Sequence, residues 1–170
     1  ASPRYHSGIH DARSGHLHPL KYSLGLARAA HSLGARLYEG SEVVAMEAGA
    51  APRLRCATGS VNARNVLLAG NVYLQRVAQW LQARIMPVGT YIVATEPLGE
   101  ARMTELIREN IAVSDMNFVL DYFRRSADHR LLFGGRVAYS GRDAFNTAEA
   151  TRKRMVNVFL KPLPKDKLAM

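Results

Sequence analysis

Two β-rich runs late in the chain constrain its fold more than any other feature. They read "NFVLDYFRRS" and "HRLLFGGRVAYSG", and little more than Ala127 and Asp128 divides them. Extended runs this close in sequence pair as an antiparallel hairpin. A third β-rich run, "MPVGTYIVATEPL", begins at Met86, and "GEARMTELIREN" is a weaker helical stretch between it and the hairpin. The closing stretch "NTAEATRKRMVNVFL" is an amphipathic helix with Met155, Val156, Phe159 and Leu160 on its apolar side. Residues 85–160 therefore read as an antiparallel sheet carrying helices, and residues 161–170 as a ragged end.

The first half has a different texture. Residues 5–11 alternate loosely, as a short strand would. Pro19 suits the first turn of a helix. Leu20, Leu24 and Ala27 follow at helical spacing, widened by Leu26, Ala30 and Leu33, and Gly34 is a natural stop. This predicts a helix over 19–33. "ARLYEG", "SEVVAMEAG", "RLRCATG" and "SVNARNVLLAG" read as short strands reaching to about residue 70, the last of them continuously apolar over Val66–Ala69. "NVYLQRVAQWLQAR" predicts a second helix over 72–83, with Tyr73, Val77, Trp80 and Leu81 on one side.

Composition limits the function classes. Hydrophobic residues make up 48% of the 170, enough for a packed core. No apolar run approaches the roughly 18 residues that cross a bilayer. Cys56 is the only cysteine, which rules out an internal disulfide and fits a reducing cytoplasm. The net charge of +9 invites a second reading, a non-catalytic basic domain that binds nucleic acid. The densest basic group, Arg152-Lys153-Arg154, lies in a predicted helix, where a solvated face explains it better than a phosphate-binding patch does. The aromatic residues are not interleaved with arginine as a base-stacking platform requires.

Three groups of residues invite chemistry. The first is "SGHLHP", where His16 and His18, with His10 and Asp11 upstream, raise the question of a metal. The spacing is not that of a helical metal motif, and a metal hydrolase stays an outside reading. A histidine capping the Pro19 helix, or one placed beside a cofactor, accounts for the same residues. The second is "RNVLLAGN", a buried-looking strand that ends in Gly70, where a backbone comes close to a ligand. The third is the hairpin itself, with Tyr122, Arg124, Arg125, His129 and Arg136 around Gly134-Gly135, a pair open to a flat ligand. No G-x-S-x-G, G-x-G-x-x-G or GxxxxGK[ST] motif is present.

Taken in order, "SGHLHPLKYSLGLARAAHSLGARLYEGSEV", "NVLLAGNVYL", "MPVGTYIVATEPL" and "LDYFRRSADHRLLFGGRVAYSGRD" resemble the D-amino-acid oxidase-like flavoprotein family, in particular its γ-glutamylputrescine oxidoreductase branch. The resemblance implies a mixed α+β fold. Residues 1–84 would form the central part of a Rossmann-like FAD-binding domain, and residues 85–160 an antiparallel-sheet substrate domain. It implies FAD as cofactor, with Gly15, His16, Val43, Ala69, Gly70 and Asn71 beside it. It implies an amine substrate such as γ-glutamylputrescine, giving up hydride to the flavin. The products would be aldehyde, ammonia and, with oxygen as acceptor, hydrogen peroxide. His16, Tyr122 and Arg136 are the candidates for the catalytic side, with Arg136 or Arg124 holding a substrate carboxylate. The family's opening strand–GxGxxG–helix unit and its closing Gly-rich segment are not found, so the chain reads as the central piece of such an enzyme.

Overall fold

The computed structural model describes residue 5 and residues 7–138 and 144–160. Their contacts divide the chain into two compact units. Residues 18–87 form one, and residues 1–17 together with 88–170 form the other. Among the described residues no helix is long and apolar enough to cross a membrane.

The 18–87 unit begins with helix α1, Pro19–Ser32. Pro19 at its start needs no amide partner, and the Nδ1 atom of His18 accepts the Lys21 amide at 3.4 Å, so a histidine does cap this helix. Its end is fixed by Gly34, at φ 91°: the Gly34 amide reaches His31 O and the Ala35 amide reaches Ala30 O. Strands β1 (Val43–Glu47), β2 (Arg53–Cys56) and β3 (Ser60–Asn62) follow as an antiparallel meander.

Three expectations fail in this unit. Residues 35–40 and 64–70 form no strand, and the predicted 72–83 helix is replaced by two 3-10 segments, Asn71–Arg76 and Gln79–Arg84. A strand exists only where a neighbour supplies its ladder, and none of the described residues pairs with either stretch. The helix loses its first turn because Gly70 has no capping side chain and Asn71 sits at φ 50°. Ala78, at ψ 72°, then interrupts it. Half of its apolar stripe is also left exposed, with Tyr73 at 85% and Trp80 at 57% exposure, and packing of such a stripe is what normally sustains a helix. Ala78 is the one fully buried side chain among the described residues of this unit.

The second unit contains β4 (Gly89–Ala94), α2 (Glu100–Leu106), β5 (Ala112–Ser114), β6 (Tyr122–Arg125), β7 (Leu131–Ala138) and α3 (Ala144–Met155). A π-helical segment, Val156–Leu160, extends α3. The four strands form one antiparallel sheet in the order β4-β7-β6-β5, with the hairpin β6–β7 at its centre. Residues 5–11, read as a strand, are irregular where described, and β5 is too short to have been read at all. Residues 139–143 and the 161–170 end lie outside the described residues.

Alternation along the strands decides which residues go inward. Phe123, Leu131 and Phe133 face the helices and join Met103, Ile107, Met155 and Val158 in the core. The Phe123 and Phe133 rings are parallel at 6.0 Å, and Phe159 meets Phe123 edge-on at 4.5 Å. Polar ties fix the sheet to its helices. The Thr151 hydroxyl donates to Gly135 O at 3.0 Å, and Arg154 holds the buried Asp121 carboxylate at 2.6 Å. Thr95 extends β4 by exchanging bonds with Leu131 through its amide and its hydroxyl.

Candidate active site

The core occupies one face of the sheet. The other face carries Ile92 from β4, Leu132 and Gly134 from β7, and Tyr122 and Arg124 from β6, because these positions alternate with the core residues. Cross-strand register sets Ile92 and Tyr122 on either side of Gly134, and Leu132 beside Arg124. A sheet face turned to water normally selects polar side chains, yet this one is largely apolar and leaves Ile92 63% exposed.

The two glycines owe their identity to internal packing. A Cβ on Gly134 would overlap the Tyr122 ring, and one on Gly135 would press on Asp121 Oδ1 at 3.1 Å. The Gly-Gly pair is thus explained by how closely Tyr122 lies on the sheet, rather than by an approaching flat ligand.

Arg136 stands two residues beyond Gly134. It is exposed, has φ 67°, and falls where the β4–β7 register slips between Thr90 and Tyr91. A bulge of this kind re-aims a side chain that strict alternation would place elsewhere.

His16 belongs to the same unit and is half-buried. Its Nε2 lies 3.1 Å from Asn110 O, and its Nδ1 lies 3.4 Å from Arg124 Nη1. Both ring nitrogens are therefore engaged. Gly15, just before it, is exposed with open space around it. The two other histidines of the candidate cluster do not join it. His10 is exposed, and His18 is spent on the helix cap. The Asp11 carboxylate is held below the usual range by the Arg13 amide and then by the Ser14 hydroxyl, so it serves its own turn. Among the described residues no three His, Cys, Asp or Glu side chains converge as metal ligands would.

The other candidates fall in the 18–87 unit. Val43 opens β1 opposite Cys56. Ala69 and Asn71 are exposed on either side of Gly70, whose own Cβ position is filled by Leu74 at 3.0 Å. The site residues thus divide, with Gly15, His16, Tyr122 and Arg136 in one unit and Val43, Ala69, Gly70 and Asn71 in the other.

The basic run on α3 is consumed internally. Arg152 and Lys153 pair with Glu149, and Arg154 with Asp121. Glu149 is held below its ordinary value chiefly by the Arg152 hydrogen bonds, and Arg152 is raised by the same contact. Sequence reasoning did not find the Asp121–Arg154 tie or the Thr95 and Thr151 anchors. Each joins residues at least 16 apart, and no local pattern marks them.

The geometry is thus a four-stranded antiparallel sheet with helices on one face and an apolar, arginine-bearing opposite face. Comparison with known proteins gives the class. The family model for FAD dependent oxidoreductases, DAO, matches residues 1–169, and the chain belongs to that family. It is 39% identical over 160 residues to γ-glutamylputrescine oxidoreductase of Escherichia coli, covering 94% of this chain and 38% of that protein. It is 42% identical over 135 residues to the Haemophilus influenzae protein named "Probable oxidoreductase OrdL", covering 76% of this chain and 31% of the relative. The chain thus spans under two fifths of the length of these curated relatives. Its fold is similar to that of glycine oxidase from Geobacillus kaustophilus, with a TM-score of 0.58 and 20% identity over 81% of this chain and 36% of that one.

Proposed function

We propose that the chain is part of an enzyme that oxidises a small amine with FAD. The observation that carries this reading is the apolar sheet face bearing Tyr122 and Arg124, in a chain of the FAD dependent oxidoreductase family. The residues fit such a group on that ground, since a face of this composition suits an aromatic ring system and an apolar substrate better than it suits water. FAD, when bound, supplies the redox chemistry by accepting hydride from the carbon that bears the nitrogen. Tyr122 forms a flat floor, held down on Gly134. Arg136 and Arg124 offer cations to an anionic end of the substrate. Val43, Ala69, Gly70 and Asn71, with Gly15, are proposed to border the cofactor. Asn71 supports this as an exposed residue at positive φ where the 64–70 segment ends.

Loss of hydride from the neutral amine converts its C–N bond to C=N. Water then yields aldehyde and ammonia, and dioxygen takes the two electrons to give hydrogen peroxide. The name of the Escherichia coli relative makes γ-glutamylputrescine the first substrate to try. A cytoplasmic setting, in keeping with the single free Cys56, belongs to the same reading. The test is to supply the intact protein with FAD and offer it γ-glutamylputrescine, putrescine and glycine. Aldehyde and peroxide should form in equal amounts from the first. Failure of every amine to reduce the flavin would sink the proposal.

A further inference from the structure

We propose that α3 positions Tyr122 from behind the sheet. Thr151 and Arg154 act through Gly135 and Asp121 to keep the Tyr122 ring laid on Gly134, and are positioning residues for that floor. This rests on the reading of the protein as an amine oxidoreductase in which Tyr122 lies beside the substrate.

The pleat comes first. Successive residues of a strand point to opposite faces, so Asp121 lies behind Tyr122 and Gly135 behind Gly134. Both side chains of this pair cross to a glycine of β7. A Cβ on Gly134 would overlap the Tyr122 ring, and one on Gly135 would meet Asp121 Oδ1 at 3.1 Å and Leu120 O at 3.2 Å. Asp121 and both glycines are buried. The Gly-Gly pair thus lets β6 lay one side chain on each face of β7 at the same place. Where the ring rests depends on how closely the two strands keep together there, because it reaches from one to the other.

The helix grips both strands at that place. Thr151 and Arg154 are three residues apart, so they are neighbours on one face of α3. The Thr151 hydroxyl donates to Gly135 O on β7 at 3.0 Å. Arg154 brings Nε and Nη2 to Asp121 Oδ2, each at 2.6 Å, just before β6. Thr151 and Asp121 are buried, and charge-assisted bonds out of water are short and directional. From the loop side the Asp121 amide donates to Asp115 Oδ1, and its carbonyl accepts the Asp115 amide. Asp121 is therefore fixed from two directions, which leaves Tyr122 little freedom to lift. Stability alone does not call for polar groups here. Met155 and Val158 already seat the helix on the core, and a buried ion pair is commonly no more stabilising than packed apolar side chains. Placement is what the two ties add.

The experiment labels the glycines of the intact FAD-loaded protein and reads the Gly134 α-proton shift by NMR. The ring current of Tyr122 displaces this signal, and Tyr122→Leu gives its position without the ring. Thr151→Val should carry the signal most of the way to that position, and Thr151→Ser, which keeps the hydroxyl, should hold it near the native one. The paired variant Asp121→Asn/Arg154→Gln should move it as well. Glu149→Gln, on the same helix but outside the clamp, should leave it in place. In turnover, kcat/KM for γ-glutamylputrescine should fall about tenfold in Thr151→Val, with no further loss where Tyr122→Leu is already present. The idea is overturned if the signal stays put in Thr151→Val and in the paired variant. It is equally overturned if the rate loss adds in full to that of Tyr122→Leu, because the helix then acts on the sheet and not on the tyrosine. Should no amine reduce the flavin, the amine reading fails separately and the glycine signal alone decides the inference. If Thr151→Val does not fold, the paired variant is read in its place, and an unmoved signal there ends the proposal.

Discussion

Arg136 shows what one residue's backbone can disclose. Its φ of 67° is a left-handed conformation that disfavours side chains and favours glycine. Arg136→Gly should therefore leave stability unchanged or raise it by about 0.5–1 kcal/mol, read from urea unfolding. A variant that is at least as stable but turns over poorly would mean that the arginine is kept for its side chain. If Arg136→Gly is destabilised by more than about 1 kcal/mol, the side chain is structural. Single residues were unevenly legible in the sequence. Tyr122 and Arg136 stood out as a phenol and a cation beside a Gly-Gly pair. The reason for that pair, a ring pressed on Gly134, is a cross-strand fact and has no local signature. The link between His16 and Arg124 spans 108 positions and is equally invisible.

Elements that complete themselves were readable, and elements that need a neighbour were not. Helix α1 carries its own start and stop signals in Pro19 and Gly34, and the β6–β7 hairpin carries its turn between its strands. The 64–70 stretch has the composition of a strand but finds no ladder, and the 72–83 stretch has the stripe of a helix but leaves Tyr73 and Trp80 of it exposed. The cap of α1 is its weak point, because a histidine acceptor at 3.4 Å is a poor substitute for a carboxylate. His18→Asp should stabilise the helix by about 0.5–1 kcal/mol, visible as a higher melting temperature. An unchanged or lower melting temperature would refute the cap argument. Acid sensitivity belongs to α3. Glu149 is lowered from 4.5 by Arg152, so the stability it contributes is complete above that pH and is lost as pH falls below it. Arg152, raised above its ordinary value by the Glu149 hydrogen bonds, adds a contribution that is present throughout the neutral range. Glu149→Gln should therefore flatten the acid limb of the stability profile and leave its alkaline limb alone. An acid limb identical to that of the native protein would count against the pairing.

At the scale of the molecule the two units differ in how much they bury. The sheet unit has a core of stacked aromatic and aliphatic side chains, whereas the 18–87 unit leaves Leu20, Leu33, Leu67 and Trp80 at least half exposed. Local opening follows buried apolar contact, so amides of β6 and β7 should exchange with deuterium far more slowly than those of α1 in this chain. Comparable protection in both would show that α1 is covered by apolar contacts absent from these residues. The fold class was legible because periodicity changes near Met86. The assignment of residues 1–17 to the sheet unit was not, since sequence order hides a segment that leaves and returns.

That interrupted path has a consequence for how the protein is made. His16 leaves the ribosome long before Arg124, with the whole of residues 18–87 synthesised in between. Closing so long an intervening stretch costs entropy that grows only with the logarithm of its length, so insertions within it should scarcely burden the sheet. The same path means that His16 cannot meet its arginine until β6 has emerged. A nascent chain that ends short of β6 lacks the His16 contact that completes the arginine's setting.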